Sequence, residues 1–282
     1  MAYEKAYENF IPKLWSASIQ RNLERLCVFA EDCNRQYEGE VKGPGDTVHI
    51  LGAATPHITV VNRSLANGKL DDPEELSGTD DVLTINQFAK YNYMVGDIDK
   101  AQAVESLMDS LTAETAEGLA NVMDKYIAAF AENATKLNTA ATVVNKSNVL
   151  TILDSAIQKL YENDVKPTTE IVVTVSPRFY TLFRSAYIDR STDNAAIMKN
   201  GKVGMYGNVT VKMSNNVHTT DDGATDNMMI RTKRAVAFVN PFNHTEAYRP
   251  DNFFADAVKG YALYDGKIIR PKEIININVK YA

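Results

Sequence analysis

The stretch VLTINQFAKYNYMV, residues 82–95, alternates apolar and polar side chains over an unusual length. Alternation with a period of two is typical of a half-buried β-strand. At about 3.3 Å per residue this strand spans roughly 45 Å, whereas an ordinary strand has about five or six residues. The sequence therefore predicts one long continuous strand. Its apolar face consists of Leu83, Ile85, Ala89, Tyr91, Tyr93 and Val95.

A second extended segment, residues 46–61, is the expected partner of this strand, although Gly52 and Pro56 interrupt it. A polar segment, residues 62–80, joins the two. A two-stranded ribbon cannot bury an apolar face by itself and is marginal in water. Either the rest of the same chain or a neighbouring subunit must cover that face. An arm with a long polar tip favours the neighbouring subunit.

A long amphipathic helix is predicted to follow the ribbon. Asp99 and Gln102 resemble a capping box, and the helical pattern runs to about residue 131. At about 1.5 Å per residue, roughly 32 residues make a rod near 48 Å. Residues 97–132 hold eight acidic and two basic side chains, so we expect the polar face to be acidic. The apolar stripe consists of Val104, Met108, Leu111, Leu119, Val122, Met123, Tyr126 and Phe130.

The N-terminal region predicts a shorter amphipathic helix over residues 12–30, in which Trp15 shares a face with later apolar residues. Pro12 suits the first turn of such a helix.

The middle of the chain predicts an α/β lobe. Helical periodicity covers residues 148–162, and a fully apolar strand occupies residues 171–175. Ser176 is the expected N-cap of the next helix and Pro177 its first residue. From residue 209 onward, turn-rich loops separate several strand patterns. The fold class is therefore α+β.

The composition is that of a globular protein. Of 282 residues, 45% are hydrophobic and 23% charged, and no apolar run approaches the roughly 18 residues of a membrane span. The N-terminus lacks the apolar core of a secretory signal, so we expect the chain to stay in the cytoplasm where it is made. A net charge of −6 gives no long-range attraction for nucleic-acid phosphates.

The sequence GKVGMYGNV, residues 201–209, superficially resembles a phosphate-binding loop. Such a loop requires a strand, a glycine turn and then a helix whose N-terminus holds the phosphate. Here the glycines precede a strand, and no Gly-Lys-Ser/Thr closes the loop. We interpret the glycines as turn residues.

Other candidate sites are weak, and we expect neither a cofactor nor a metal. Cys27 and Cys33 fit neither a zinc pair nor a disulfide framework. The acidic stretches TTDDGATDN and LDDPEEL lack the spacing of a calcium loop. No nucleophile motif is visible, so we predict that the chain is not an enzyme. The histidines show no metal-binding pattern: His49, His57, His218 and His244.

The order of these elements resembles the major capsid proteins of tailed bacteriophages, which have the Hong Kong 97-like fold. Four motifs in sequence carry the resemblance: FIPKLWSASIQRNL near the start, GPGDTV at the arm, SPRFYTLF after a buried strand, and GKVGMYGNVTVKMSNNV. The resemblance covers nearly the whole chain.

The resemblance implies an architecture of five segments. These are an N-arm at residues 1–40, an extended E-loop hairpin at 41–96, the spine helix of a P-domain at 97–140, an A-domain at 141–250, and return strands of the P-domain at 251–282. Because E-loops of this family lie on the adjacent subunit, the resemblance also implies that a neighbouring subunit buries the apolar face of the ribbon.

It further implies hexamers and pentamers that close into an icosahedral virion capsid around double-stranded DNA, without sequence-specific binding and without a membrane. Assembly in the bacterial cytoplasm, a portal, decoration proteins and, given the short N-arm, a separate scaffolding protein are expected. Some shells of this family crosslink an arm lysine, but we assign no crosslink. The expected inter-subunit contacts are Trp15, Lys69, Leu83, Ile85, Lys90, Tyr91, Tyr93, Gly204 and Gly207.

Two alternatives remain open at this stage. An encapsulin-like nanocompartment has the same fold but encloses an enzyme. A small-molecule enzyme that uses the loop at residues 201–207 is the alternative from a different class, and nucleotide-dependent thermal protection would favour it.

Overall fold

The computed structural model describes residues 27–37, 47–52, 79–96, 107–190 and 204–281. Trp15, Lys69, His57 and the capping-box pair Asp99 and Gln102 lie outside these residues. The strands are β1 Thr47–Gly52, β2 Thr79–Thr84, β3 Gln87–Gly96, β4 Thr135–Lys136, β5 Thr142–Val144, β6 Ile171–Val175, β7 Met205–Tyr206, β8 Val209–Met213, β9 His218–Thr220, β10 Thr225–Thr232, β11 Val236–Tyr248, β12 Ala255–Ile268 and β13 Ile274–Tyr281. The helices are α1 Leu107–Ala128, α2 Val149–Glu162 and α3 Pro177–Arg190, with 3-10 turns at Ala30–Asp32, Ala129–Asn133 and Pro271–Glu273.

The largest sheet has eight strands. Its main path runs β4-β13-β10-β6-β8-β7, with β5 beside β13 and β9 beside β10. All five residues of β6 are buried, as its apolar character predicts, and they include the polar Thr174. The Ser176 hydroxyl accepts a hydrogen bond from the Phe179 amide, and Pro177 begins α3, so the predicted cap is confirmed.

A second sheet contains three antiparallel strands in the order β11-β12-β3. Strand β12 lies in the middle, where Gly260 pairs with Tyr91 on one side and Thr245 on the other. Helix α1 packs against β3 and β12. Two aromatic side chains hold this contact, because the rings of Tyr126 and Tyr264 meet edge to face at 5.5 Å.

The prediction of one continuous strand over residues 82–95 is wrong. Strand β2 ends at Thr84 and pairs with β1, whereas β3 begins at Gln87 and pairs with β12. The chain changes sheets at Asn86, whose backbone N–H donates at 2.9 Å to the side-chain carboxylate of Asp265 on β12. The side-chain alternation continues across this break, and for that reason the pattern did not reveal it.

Helix α1 is the long amphipathic helix that the sequence predicts after the ribbon. Its described part covers 22 residues, or about 33 Å, and continues into the 3-10 turn at Ala129–Asn133. The predicted start lies outside the described residues. Val122, which we placed on the apolar stripe, is 46% exposed, because the buried face passes one residue further on, through Met123 and Asp124.

Candidate subunit interface

The root of the ribbon packs onto its own chain. Val48 and Ile50 from β1 and Leu83 from β2 form an apolar cluster with Ala237 and Val239 of β11. Leu83 and Ile85 are each only 3% exposed. Strands β11 and β12 of the same chain therefore cover Leu83 and Ile85, and a contact of either residue with a neighbouring subunit stays a prediction.

Tyr91 and Tyr93 lie half-buried on β3 with their rings stacked 6.3 Å apart. The Tyr91 hydroxyl forms a 2.6 Å hydrogen bond with the Thr245 hydroxyl, across the middle strand. Burial raises the pKa of Tyr91. Gly260 makes this arrangement possible, since a Cβ there would meet the Tyr91 hydroxyl. A contact of either tyrosine with another subunit stays a prediction.

The opposite surface of this sheet, which we call the outer face, is lined by Phe88 and Lys90 of β3, His244 and Glu246 of β11, and Lys259 and Tyr261 of β12. These side chains surround an open groove of about 490 Å³. The Tyr261 ring forms its floor, with the Phe88 ring stacked at 5.2 Å and the His244 ring at 5.7 Å. Phe88 is 54% exposed, so the groove presents an aromatic surface to solvent.

The turn between β11 and β12, residues 249–254, forms a second exposed apolar surface, which we call the hairpin tip. Phe253 is 58% exposed and Phe254 88% exposed. Asp251 beside them is also exposed. Adjacent large aromatic side chains are rarely this exposed to solvent in a monomer unless they take part in an interaction.

Asp265 joins the ribbon root, helix α1 and β12. Its carboxylate accepts hydrogen bonds from the Asn86 amide at 2.9 Å and from the Tyr126 hydroxyl at 2.6 Å. Asp265 itself is buried. The three elements are therefore held in one fixed arrangement. This arrangement sets the direction of the β1-β2 ribbon relative to the three-stranded sheet.

Asp124 of α1 anchors the segment that precedes the ribbon. Its buried carboxylate accepts backbone hydrogen bonds from Val28, Phe29 and Ala30, at 2.8, 3.0 and 3.2 Å. Burial raises the pKa of Asp124 even though these three N–H groups stabilise the charged form.

Two basic side chains complete the anchor. Arg231 of β10 donates to the Phe29 carbonyl and to the Cys33 sulfur. Lys212 of β8 lies 2.8 Å from both Glu31 and Asp32. Residues 27–34, the described end of the predicted N-arm, are thereby fixed to the core.

The glycine run forms a hairpin at its described end. Strands β7 and β8 pair antiparallel, and Gly207, at a φ of +60°, lies in the turn between them. This confirms that Gly207 is a turn residue, and Gly204 lies exposed just before β7. The Tyr206 hydroxyl donates to Asp154 of α2 at 2.8 Å, which ties the hairpin to the lobe. A role of Gly204 and Gly207 in subunit contacts stays a prediction.

The acidic stretch and the two cysteines that the sequence offers as candidate sites are parts of a turn and of the core. The acidic stretch TTDDGATDN contains an exposed turn at residues 221–224, in which Asp221, Asp222 and Gly223 all have positive φ, whereas its last three residues are buried in β10. Burial raises the pKa of Cys27 to about 12 and also raises that of Cys33, so both thiols stay protonated near neutral pH. Within the described residues, no group of three histidine, cysteine or acidic side chains is placed to hold a metal ion. Likewise, the helices described are too short or too polar to span a membrane.

Sequence reasoning missed Asp124, Arg231 and Asp265, because their partners lie far away along the chain. One signal was available for Asp124, since it follows Met123 on the buried face of a helix, where an acidic residue requires a partner. For the hairpin tip, the signal was the pair Phe253 and Phe254 directly after the turn residues of RPDN.

Solved phage structures share this architecture over almost the whole chain. A structure of Mycobacterium phage Che8 matches with a TM-score of 0.72 and 27% identity, covering 89% of this chain and 90% of that one. The mature capsid of bacteriophage PhiM1 matches with a TM-score of 0.64 and 16% identity, covering 91% and 87%. A virus-like particle from Pyrococcus furiosus matches with a TM-score of 0.57 and 11% identity, covering 95% and 98%. Neither the protein-family models nor the curated proteins contain a match.

The chain therefore has the Hong Kong 97-like capsid fold, and the predicted fold class is confirmed. Its resemblance to the major capsid proteins of tailed bacteriophages is confirmed with it.

Proposed function

We propose that this chain is a structural major capsid protein, which self-assembles as hexamers and pentamers into the icosahedral head of a tailed phage. The observation that carries this proposal is the capsid architecture over nine-tenths of the chain, shared at 27% identity with a phage structure. This fold supports a structural role, in which the surfaces of each subunit bind other copies of the same chain.

The named segments of the family are part of the proposal. The ribbon β1-β2 is the base of the E-loop, α1 is the spine helix, and the three-stranded sheet belongs with α1 in the P-domain. The A-domain is built on the eight-stranded sheet. This sheet includes β13 and the P-domain sheet includes β11, so the sheets cross the boundaries expected between residues 141–250 and 251–282. The proposed contacts between subunits are those expected from the sequence: Trp15, Lys69, Leu83, Ile85, Lys90, Tyr91, Tyr93, Gly204 and Gly207.

Double-stranded DNA is the proposed content of the shell. The net charge of −6 and the exposed Glu114 and Glu117 of α1 give the protein little attraction for phosphate groups, so it would enclose DNA without gripping it. Tight, salt-sensitive binding of duplex DNA by the subunit would contradict this part. A portal, decoration proteins, a separate scaffolding protein and assembly in the host cytoplasm stay predictions.

A nanocompartment shell is the second candidate, because the virus-like particle from Pyrococcus furiosus shares the fold. The higher identity to the Che8 phage structure favours the phage capsid. An enzyme that uses the glycine loop is not supported, since Gly207 belongs to a turn between two strands, and a phosphate site requires a helix N-terminus.

Negative-stain microscopy of the purified chain, alone and co-expressed with candidate scaffolding proteins, tests the proposal. Closed shells, or rings of five and six subunits, are the expected result. A chain that stays a compact monomer at all concentrations would refute it. The ratio of nucleic acid to protein in shells made in cells separates a phage head from a compartment that carries protein cargo.

A further inference from the structure

We propose that the hairpin tip of one copy inserts Phe253 and Phe254 into the aromatic groove on the outer face of a second copy. The proposal rests on the proposed function, because it names the contact by which one shell subunit binds the next.

The tip has the properties of an inserted element. Phe254, at 88% exposed, contributes almost nothing to the fold of its own subunit, and Phe253 beside it is mostly exposed. Strands β11 and β12 pair along their length up to Tyr248 and Ala257. The two rings are thus carried at the end of a paired hairpin, so that little conformational entropy is lost when they are buried.

The groove has the complementary chemistry. Its floor is the Tyr261 ring, and the exposed Phe88 ring forms one wall. Aromatic side chains in concave surfaces are the usual partners of inserted aromatic residues at interfaces. The groove adjoins the ribbon-root cluster, against which Tyr261 also packs. An inserted ring would extend that existing apolar cluster.

The tip cannot occupy the groove of its own chain. Strand β12 runs straight from Ala255, next to the tip, to Tyr261 at the groove floor. Six residues of extended chain hold these positions about 20 Å apart. A hairpin tip that enters the groove therefore belongs to another copy.

Opposite charges on the tip and at the groove support the same contact. Lys90 at the groove and Asp251 at the tip are both exposed. Neither has an ion-pair partner among the residues that the structure describes. Insertion of the tip would bring the Asp251 carboxylate towards the Lys90 ammonium group.

The contact joins two different surfaces and is therefore heterologous. Such head-to-tail contacts generate closed rings or extended arrays and not isolated dimers. This is the geometry that a shell requires.

A charge exchange tests the contact in the full-length chain. Asp251→Lys alone and Lys90→Asp alone each place like charges together, and each is expected to raise the concentration needed for assembly about tenfold or more. The double variant restores opposite charges and is expected to recover most of the loss. Phe254→Ser is expected to impair assembly at least as strongly. Its matched control is Met213→Ser, an exposed apolar residue on β8.

Sedimentation velocity measures assembly, and thermal unfolding of the dissociated subunit verifies that each variant folds. If wild-type chains assemble and the single variants do so equally well, the contact is wrong while the proposed function stands. If the singles are impaired but the double is not rescued, the pairing of Asp251 with Lys90 is wrong. If the wild type never assembles, both proposals fail.

A disulfide experiment locates the contact directly. A mixture of Phe88→Cys chains and Phe254→Cys chains is expected to form covalent dimers on mild oxidation, whereas either variant alone does not. The native Cys27 and Cys33 are buried and do not compete. No dimer in the mixture, under conditions where the chains assemble, would overturn the proposal.

Discussion

The guanidinium of Arg231 donates a 2.6 Å hydrogen bond to the carbonyl oxygen of Phe29, 202 residues earlier in the chain. Arg231 is among the largest fully buried side chains, and it also donates to the Cys33 sulfur. Together with Asp124, which holds the amides of Val28, Phe29 and Ala30, it fixes the end of the predicted N-arm to the body of the subunit.

Replacement of Arg231 by methionine should destabilise the dissociated subunit by about 2–4 kcal/mol, because the Phe29 carbonyl loses its charged donor and Asp124 loses a nearby positive charge. Urea unfolding measures the difference. Lys233→Met is the matched control, since Lys233 forms an exposed ion pair with Glu170 that is worth about 0–1 kcal/mol. Equal effects of the two substitutions would refute the anchoring role of Arg231.

Glu273 should make stability depend on pH. Burial alone would raise its pKa, but hydrogen bonds from Thr232, Arg234 and Arg270 outweigh burial and hold the pKa below its ordinary value. The unfolded chain therefore binds a proton first as the pH falls. The stabilisation is present above pH 4.5, the ordinary value, and is lost as the pH falls through the lowered pKa.

Glu273→Gln should therefore cost roughly 1–3 kcal/mol at neutral pH, and the difference from the wild type should shrink below about pH 4. Thermal unfolding between pH 3 and pH 7 measures it. Glu170→Gln, at an exposed ion pair, should show a much smaller change. A constant difference across this pH range would show that the charge of Glu273 is not the cause.

Two glycine-to-alanine substitutions should change the free energy of unfolding in opposite directions. At Gly260 a Cβ would lie about 2.6 Å from the His244 carbonyl oxygen and still closer to the Tyr91 hydroxyl. The backbone cannot give way easily, so Gly260→Ala should cost about 1–3 kcal/mol or more. Gly118 is exposed in α1 with open space around it, and Gly118→Ala should stabilise by about 0.5–1 kcal/mol. Chemical unfolding of both variants tests the pair, and a neutral Gly260→Ala would contradict the close packing of the sheet.

Local signals predicted the elements of the lobe. Helix α2 has a continuous apolar stripe, β6 is apolar apart from Thr174, and Ser176 with Pro177 marks the start of α3. Each of these signals is contained within a few residues, so neighbouring positions determine the structure.

The end of the first long strand could not be predicted in this way. The alternation through Leu83, Ile85, Ala89 and Tyr91 continues across the change of sheet, and the residue that captures the Asn86 amide is Asp265, 179 positions away. The same limit applies to the interface. Burial of Leu83 and Ile85 depends on β11 and β12, whereas exposure of Phe254 depends on the hairpin that carries it.

Asp265 should control how firmly the ribbon root is held. Asp265→Ala leaves the Asn86 amide and the Tyr126 hydroxyl without their acceptor, and the expected cost is about 2–3 kcal/mol. Tyr126→Phe removes only one of these bonds and should cost about 1 kcal/mol. Tyr248→Phe is the control, because its hydroxyl bonds to Asn92 at an exposed position.

Hydrogen exchange tests the contact of Asp265 with Asn86 and Tyr126 more directly. The Asn86 amide should exchange much faster in Asp265→Ala than in Tyr126→Phe, while amides of β6 change little. Unchanged protection at Asn86 would mean that the contact depends on something other than the carboxylate.

The tip of the ribbon should serve assembly and not folding. Gly52 and Thr79 are directly paired in the β1-β2 ladder, so a two-residue Asn-Gly turn can replace residues 53–78 without straining the strands. Val48, Ile50 and Leu83 still pack on β11, and the shortened subunit should unfold at nearly the wild-type temperature.

Shell closure should fail in this variant, because we propose that the removed segment of the E-loop reaches a neighbouring subunit. Electron microscopy and sedimentation at matched concentrations measure closure. The control is Asp222→Gly, which alters an exposed turn of the large sheet at a φ of +55° that glycine adopts freely. Shells of normal yield and size from the shortened chain would show that residues 53–78 are dispensable, and would leave the groove and the hairpin tip to hold the subunits together.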